Sequence, residues 1–271
     1  MSHFYERINK KAIKYEEEFD KLIIVLNKEY SYETTIDYID KYCFGKMKLA
    51  CNYLSLREII SEIANLRKKE EQFIHLSELV LSIGEQIRLS LIPYSSERAF
   101  VDTQLTTASN LIRYDLSKLN LEAKIIKENL GDVVSIGPKN ELLETVLNNI
   151  NDISIENRLI RYNSSNTSGK INEKEEILCS IYSFVEGFIK DPQLYQMNKR
   201  LFENVDFLYN NLNMKHNNDK FNDTFFYGET LGQREKWLDN LFHDVLLVIA
   251  SKREQEINAA INTLKTKKKA S

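Results

Sequence analysis

Residues that break helices are scarce in this sequence. Its 271 residues include only 8 glycines and 3 prolines, whereas ordinary proteins contain about 7% glycine and 5% proline. Glycine and proline are the residues that most disfavour a helix interior and most often form tight turns. Their scarcity therefore predicts long helices joined by few tight turns.

Long apolar runs and paired cysteines are also missing. The longest apolar run, near Val245–Ala250, is far shorter than the ~18 residues that a membrane span needs. The three cysteines, Cys43, Cys51 and Cys179, form no CxxC pair, and charged residues occupy the N-terminal positions where a secretory signal would be apolar. We therefore expect reduced thiols in a cytoplasmic protein that does not enter a membrane.

The charge and the motifs of the chain exclude several classes of function. A net charge of −3 argues against a broad basic surface that follows a phosphate backbone. The sequence contains no phosphate-binding glycine loop, no dinucleotide fingerprint, no zinc-protease motif and no calcium-loop spacing. Its four histidines, His3, His75, His216 and His243, are too scattered for a metal motif. We expect no metal and no cofactor, with His75 and His243 as packed or surface imidazoles.

Apolar residues recur at helical spacing along most of the chain, which predicts an all-α protein, a multi-helix bundle with a small β-hairpin insert near 121–137. The hairpin strands are expected at 121–127 and 133–136, with a turn at Gly131-Asp132. Asn140 is expected to cap the helix that follows. The predicted helices cover 5–29, 32–42, 46–68, 73–91, 95–119, 140–150, 153–162, 173–189, 192–215 and 233–260.

The same pattern suggests a division into segments. We expect an N-terminal helical domain over 1–120, the hairpin and short helices over 121–162, a helical module over 173–265 and a disordered basic tail over 266–271. The run Asn163-Ser-Ser-Asn-Thr-Ser-Gly169 has the small, polar composition of a flexible surface loop.

The stretch from Asp206 to Phe226 departs from ordinary helical sequence. An apolar stripe with steps of three and four residues leads into it, and one further step of four after Leu212 reaches His216. A titratable imidazole thus replaces the next expected core residue. The stripe consists of Leu194, Met197, Leu201, Val205, Leu208 and Leu212.

Two interpretations of His216 and its neighbours remain open. In the first, the imidazole acts as a general base or acid, Lys215 stabilises negative charge on a phosphoryl group, and asparagine amides position a substrate. Cleavage of RNA by its own 2′-hydroxyl requires no metal, which suits a chain without metal motifs. In the second, the histidine and the asparagines cap a helix end and fix the following loop.

The segment from Glu173 to Lys265 resembles the HEPN superfamily (higher eukaryotes and prokaryotes nucleotide-binding), especially the C-terminal modules of abortive-infection proteins. The resemblance rests on two long helices, the sequence NNLNMKHNN at the end of the second, a loop and a long apolar final helix. The segment 119–150 also resembles the hairpin-and-helix insert of some of those proteins. The family implies an all-α bundle, often dimeric, that frequently acts as a metal-independent endoribonuclease in phage defence or as a toxin.

The family motif has four to six residues between an arginine and the histidine, and this sequence has Tyr209, Asn210 and Asn211 at the positions where that arginine would stand. The resemblance implies RNA and a homodimer or another protein as partners. A non-catalytic subunit that binds a protein partner in a defence or regulatory complex is the alternative. The residues implied in catalysis are His216, Lys215 and Asn211, and those implied in substrate binding are Asn213, Asn217 and Arg200.

Overall fold

The computed structural model describes residues 13–46, 53–89, 95–129, 131–212 and 231–270. Within these ranges the chain forms eleven α-helices and two small antiparallel sheets of two strands each, which confirms the predicted all-α class with a small hairpin. The chain divides into two compact units. The first unit contains residues 1–139 and 164–166, and the second contains residues 140–163 and 167–271.

The first unit contains five helices, and short polar side chains begin three of them. Thr34, Ser55 and Ser95 each accept a hydrogen bond from a backbone N–H of the first turn, which satisfies a donor that the helix itself leaves unbonded. The elements are α1 (Tyr15–Leu26), β1 (Glu29–Tyr30), β2 (Glu33–Thr34), α2 (Thr35–Tyr42), α3 (Leu56–Ala64), α4 (Lys69–Leu89), α5 (Ser96–Leu119), β3 (Leu121–Ile126) and β4 (Val133–Pro138).

The sequence did not predict the small hairpin of β1 and β2. Ser31 and Tyr32 join its strands with φ angles of 49° and 74°, and a two-residue turn with both residues in the left-handed region matches the twist of a hairpin. Neither residue is the glycine or asparagine that usually marks such a turn, so the pattern contained no signal for it.

The predicted hairpin of β3 and β4 is confirmed, with Leu121 opposite Pro138 and Ile126 opposite Val133. Gly131 adopts a φ of 122° before β4, a conformation that favours glycine. The outer edge of β4 is hydrogen-bonded by three side chains of α4, which we call the α4 ladder. Its bonds join Glu78 Oε1 to the Ile136 N–H (2.7 Å), Ser82 Oγ to the Val134 N–H (2.8 Å) and Gln86 Nε2 to the Asp132 carbonyl (3.0 Å).

The ladder works because its members recur every four residues on one helical face, while the backbone groups that point away from β3 recur every two residues. A strand edge left open would be a template for pairing with other chains. Helix α4 therefore takes the place of a third strand along β4.

The second unit contains six helices around a core of its own. Helix α8 contacts α7, α9 and the long α11, which also packs against α6 and α10. The side chain of Asn140 accepts a hydrogen bond from the Leu143 N–H, as predicted for a cap. The helices are α6 (Glu141–Leu147), α7 (Ile153–Tyr162), α8 (Ile171–Ile189), α9 (Pro192–Met197), α10 (Lys199–Asn211) and α11 (Leu231–Ala270).

The predicted middle segment, 121–162, is divided between the units. Its hairpin packs against α4 and α5, whereas its helices pack against α8 and α11. The loop at 163–169 was predicted to be a flexible surface loop, and this was wrong for part of it. The side chains of Ser164 and Thr167 are buried, and the Thr167 hydroxyl donates to the Arg161 carbonyl at 2.7 Å.

Several helix boundaries also differ from prediction, and the helix expected over 46–68 covers only Leu56–Ala64 in its described part. The expected helix over 192–215 is interrupted at Asn198, whose φ of −140° and ψ of 46° are not helical, and α10 ends at Asn211. The basic tail was expected to be disordered, but α11 continues through Ala270. No glycine or proline interrupts that tail. The parts of the helix predictions at 5–12, 47–52, 90–91 and 213–215 lie outside the described residues.

A membrane-spanning helix, long and apolar enough to cross a bilayer, is not found in the described ranges.

Candidate functional site in the second unit

Of the six predicted site residues, only Arg200 and Asn211 lie within the described residues. Arg200 is exposed in the first turn of α10. Asn211 is the last residue of the same helix, where its Nδ2 donates to the Phe207 carbonyl at 2.7 Å. Because eleven residues of helix rise about 16 Å, α10 does not bring these two side chains together. The other four, Asn213, Lys215, His216 and Asn217, lie outside the described residues.

The apolar stripe that leads toward His216 is buried at most of its positions. Val205, Leu208 and Leu212 are buried in the core of the second unit, whereas Met197 is 40% exposed just before the break at Asn198. The break changes the direction in which side chains point, so the positions on either side of it do not share one continuous face. Phe202 and Tyr209, which the stripe did not include, are fully buried.

A groove of about 350 Å³ lies between α10 and α11, the two helices that flank residues 213–230. We call it the α10–α11 groove. Two aromatic side chains at the groove are partly exposed: Phe207 of α10 at 46% and Trp237 of α11 at 37%. Polar groups from both helices complete the lining, which consists of Asn204, Phe207, Leu208, Trp237, Asn240, His243 and Asp244.

An imidazole and a carboxyl group adjoin each other in this groove. Partial burial raises the pKa of the Asp244 carboxyl above its ordinary value, and the neighbouring His243 partly opposes that rise. Burial disfavours the charged carboxylate because water no longer solvates it fully. The groove thus offers two side chains of the types that transfer protons, next to aromatic rings on which a flat molecule can stack.

The orientation of α11 is also fixed by a buried lysine, in a group that we call the Lys174 cluster. Lys174 of α8 is 7% exposed in its side chain, and its Nζ lies 2.8 Å from Glu235 Oε1 and 2.7 Å from Asp239 Oδ1. The Tyr162 hydroxyl donates to Asp239 Oδ1 at 3.0 Å, and the Gly169 N–H donates to Glu235 Oε1 at 2.7 Å. Two successive turns of α11 are therefore held by one ammonium group.

The pKa shifts in the cluster follow from these contacts. The hydrogen bond from Lys174 and the one from the Gly169 N–H lower the pKa of Glu235, because both stabilise the carboxylate. Burial, together with the negative charge of Asp239, raises the pKa of the Tyr162 hydroxyl. The tyrosine ring also stacks on Phe242, with centroids 4.1 Å apart. The cluster is therefore a packed structural element of the second unit.

Sequence reasoning missed the groove because its residues look like an ordinary solvated helix face. Trp237, Asn240 and Asp244 recur at helical spacing, which the pattern could have shown. The only tryptophan of the chain, about two helical turns before a histidine and an aspartate that are adjacent in the sequence, was the available signal. His243 was expected to be a packed or surface imidazole, and it is exposed at the groove.

Within the described ranges, no group of three or more histidine, cysteine, aspartate or glutamate side chains is arranged to hold a metal ion. Comparisons of the chain with protein-family models, with curated proteins and with solved structures find no match.

Proposed function

We propose that the second unit is an HEPN-like module of the phage-defence or toxin type, a metal-independent endoribonuclease that binds single-stranded RNA along the α10–α11 groove and uses His216 in catalysis. The observation that carries this proposal is the composition of the groove. Exposed aromatic rings and a histidine lie on the two helices that flank the segment containing His216.

The proposed reaction is an internal transfer within RNA. A ribose 2′-hydroxyl attacks the adjacent phosphorus, a bond forms between that oxygen and phosphorus, and the bond to the 5′-oxygen of the next nucleotide breaks. His216 accepts the proton of the 2′-hydroxyl, a water molecule donates a proton to the departing 5′-oxygen, and Lys215 stabilises the negative charge that develops on the phosphoryl oxygens. The products are a strand that ends in a 2′,3′-cyclic phosphate and a strand with a free 5′-hydroxyl.

The groove supplies binding in this proposal. Unpaired bases stack on exposed aromatic side chains regardless of their identity, and each stacked base contributes about 1–3 kcal/mol. Phe207 and Trp237 are the groove's aromatic side chains, and Asn204 and Asn240 offer amides to the edges of the bases. Such a site binds RNA mainly through stacking, which is compatible with the acidic net charge of the chain.

Cleavage of a fluorescently labelled single-stranded RNA by the purified chain, in the presence of a chelator, tests the proposal. We expect His216→Ala to lower kcat by about 100-fold or more, the usual contribution of a general acid or base. We expect Trp237→Ala to raise KM about 10-fold, since it removes one stacking surface. His75→Ala, which removes an imidazole from the first unit, is the matched control and should leave both constants unchanged.

Equal cleavage by the wild type and the His216→Ala variant would contradict the catalytic proposal. Expression in cells adds a second measurement, because a ribonuclease toxin should slow growth and His216→Ala should relieve that effect. Identical growth and identical RNA profiles for the two proteins would also exclude the role of His216.

The second candidate is a non-catalytic subunit that binds a protein partner. The same exposed rings favour it, because a groove with Phe207 and Trp237 at 46% and 37% exposure can accept an apolar side chain of a partner. The asparagines and the tyrosine at the family's arginine positions favour it as well. Under this alternative, the wild type does not cleave RNA, whereas Trp237→Ala still abolishes the effect of the protein on cell growth.

We also propose that the chain forms a homodimer through the C-terminal half of α11. None of the described side chains from 252 to 263 is buried, and Ile257 and Ile261, one helical turn apart, are 46% and 41% exposed. An apolar pair on a long helix is typical of helix–helix association. Light scattering should give the mass of a dimer for the wild type and of a monomer for Ile257→Glu/Ile261→Glu; a monomeric wild type would contradict this proposal.

A further inference from the structure

A second concave surface lies entirely within the first unit, between α4, α5 and the β3–β4 hairpin. This cleft has a volume of about 340 Å³, which falls within the range of small-molecule sites in proteins. One wall comes from α4, one from a long face of α5, and the end wall from residues of the two strands. The proposed ribonuclease site does not include any of them.

The α4 wall is open at Gly84. A glycine in a helix interior is about 1 kcal/mol less favourable than alanine, so its presence there calls for a reason. A Cβ atom added to Gly84 would meet no atom within 4 Å, so close packing against a described neighbour does not require glycine. Its φ also lies outside the positive range that favours glycine. What the missing side chain does provide is space in the cleft.

The two long walls of the cleft differ in polarity. The wall formed by α4 and the hairpin carries apolar side chains, among them buried Leu81 and Val134 and the 39% exposed Ile125, and at one end of α4 it carries the Glu85–Arg88 ion pair. The α5 wall carries polar groups at successive helical turns. Ser109, Asn110 and Arg113 lie within little more than one turn of each other, and their side chains form no hydrogen bond or ion pair with other described residues.

The charges in the cleft do not cancel. Arg88 is paired with Glu85 at 2.6 Å, and Arg98 Nε lies 3.6 Å from Asp102 Oδ2. Arg113 has no carboxylate partner among the described residues, so the lining has one excess positive charge. That charge lies beside a serine hydroxyl and an asparagine amide, which together with a guanidinium are suitable donors for an anionic group.

We propose that this cleft binds a small organic anion that consists of a flat, largely apolar ring system and one carboxylate or phosphate group. The anionic group binds Arg113 with Ser109 and Asn110. The ring system lies against the apolar wall and extends toward the space beside Gly84. A molecule of this kind can pack against the apolar wall and bind the polar groups of α5 at the same time. An uncharged apolar ligand or a bare inorganic anion could make only one of these two contacts.

Titration with 8-anilinonaphthalene-1-sulfonate, a flat apolar fluorophore with a single anionic group, tests this proposal on the full chain. We expect saturable binding to the wild type that persists in Trp237→Ala, which lacks the main stacking surface of the α10–α11 groove. Arg113→Gln should weaken binding about 10-fold or more, since a charge-assisted hydrogen bond contributes about 1.5–3 kcal/mol. Gly84→Leu should have a comparable effect because it fills the cleft.

Two matched controls separate the site from general changes in charge and helix stability. Arg67→Gln removes the same charge from another exposed position of the first unit, and Gly187→Leu fills a helix glycine of α8 whose added Cβ would also meet nothing within 4 Å. Both should bind the fluorophore as the wild type does. Displacement by benzoate and by phenyl phosphate then distinguishes a carboxylate ligand from a phosphate ligand.

Several results would overturn the proposal. The first is no saturable binding to the wild type, and the second is equal affinity of the wild type and Arg113→Gln. A third is an equal loss in the Arg67→Gln control. If Gly84→Leu changes the far-UV circular dichroism of the chain, its loss of binding can come from misfolding. The affinity of Arg113→Gln then decides whether the proposal holds, because an exposed arginine can be replaced without disturbing a core.

Discussion

The two units bury polar groups in different ways. In the first unit, the α4 ladder joins side chains to the backbone of β4, so its purpose is to satisfy a strand edge. In the second unit, the Lys174 cluster joins side chains to one another and fixes the rotation of α11. A strand edge has a fixed set of N–H and C=O groups that must be bonded, whereas two helices can pack without any ion pair. Substitutions in the ladder should therefore lower the free energy of unfolding more than substitutions in the cluster.

The largest effect is expected at Glu78, which is buried and also accepts a hydrogen bond from Asn166 at 2.6 Å. Glu78→Leu leaves the Ile136 N–H without its acceptor and should lower the free energy of unfolding of the first unit by about 2–4 kcal/mol. Urea unfolding followed by far-UV circular dichroism measures this change. Glu71→Leu, on the exposed side of α4, should change it by less than about 0.5 kcal/mol.

A smaller effect is expected from Lys174→Met, because Glu235 and Asp239 are 25% and 51% exposed and can be hydrated once the ammonium is lost. We expect the second unit to lose about 1–3 kcal/mol. The fluorescence of Trp237, the only tryptophan, reports on that unit alone. The control is Lys170→Met, whose pair with Glu173 at 3.5 Å is exposed. A loss above that of Glu78→Leu would reverse the comparison between the units.

The dependence of stability on pH should give a further test of the Lys174 cluster. The folded-state pKa of Glu235 is lowered from 4.5, so the unfolded chain binds the proton more tightly than the folded chain. The stability that this carboxylate contributes is complete above pH 4.5 and is lost as the pH falls through the lowered folded-state pKa. Unfolding midpoints from Trp237 fluorescence between pH 6 and pH 3 should therefore fall less steeply in Lys174→Met than in the wild type. Parallel curves would contradict this assignment.

The smallest effect is expected at Gln86, although it belongs to the α4 ladder. Its Oε1 is buried and has no hydrogen-bond partner among the described residues, so Gln86→Met removes an unsatisfied oxygen together with the bond to Asp132. These two changes oppose each other, and the free energy of unfolding should change by less than about 1 kcal/mol. A loss as large as that of Glu78→Leu would show that all members of the ladder contribute equally.

Local signals in the sequence were sufficient for much of the fold. The β3–β4 hairpin followed from its alternating strands and from Gly131, and the start of α6 followed from Asn140, because each depends on a few neighbouring residues. The interruption at Asn198 did not follow, since the apolar steps continue across it. The spacing of apolar residues indicates which helix face is buried, but it does not indicate a change in the direction of the backbone.

Buried charges were harder to predict for a different reason. Glu78 and Lys174 each occupy a helical position where a charged side chain normally faces solvent. Glu78 bonds to Ile136, 58 residues away, and Lys174 bonds to Asp239, 65 residues away, and the sequence near them does not show that they are buried. The candidate groove and the cleft share this difficulty, because each is assembled from separate helices. Of the predicted site, the positions of Asn211 and Arg200 are described, and the role of His216 remains a prediction.

The order of side chains in the α4 ladder has a geometric meaning. Four residues of helix advance about 6.0 Å, while two residues of strand advance about 6.8 Å. The two spacings therefore differ by about 0.8 Å for each further hydrogen bond along the ladder. The short serine lies at the middle step, and the longer glutamate and glutamine lie at the two ends, where side-chain reach can absorb the drift.

A fourth step would be offset by a further 0.8 Å or so, close to the whole tolerance of a hydrogen bond. A straight helix can thus form about three successive hydrogen bonds of this kind to a strand edge, and no more. Lengthening the hairpin by two residues per strand would leave the added backbone groups of β4 beyond the reach of α4. The three hydrogen bonds of the α4 ladder therefore lie within the range over which the two repeats stay matched.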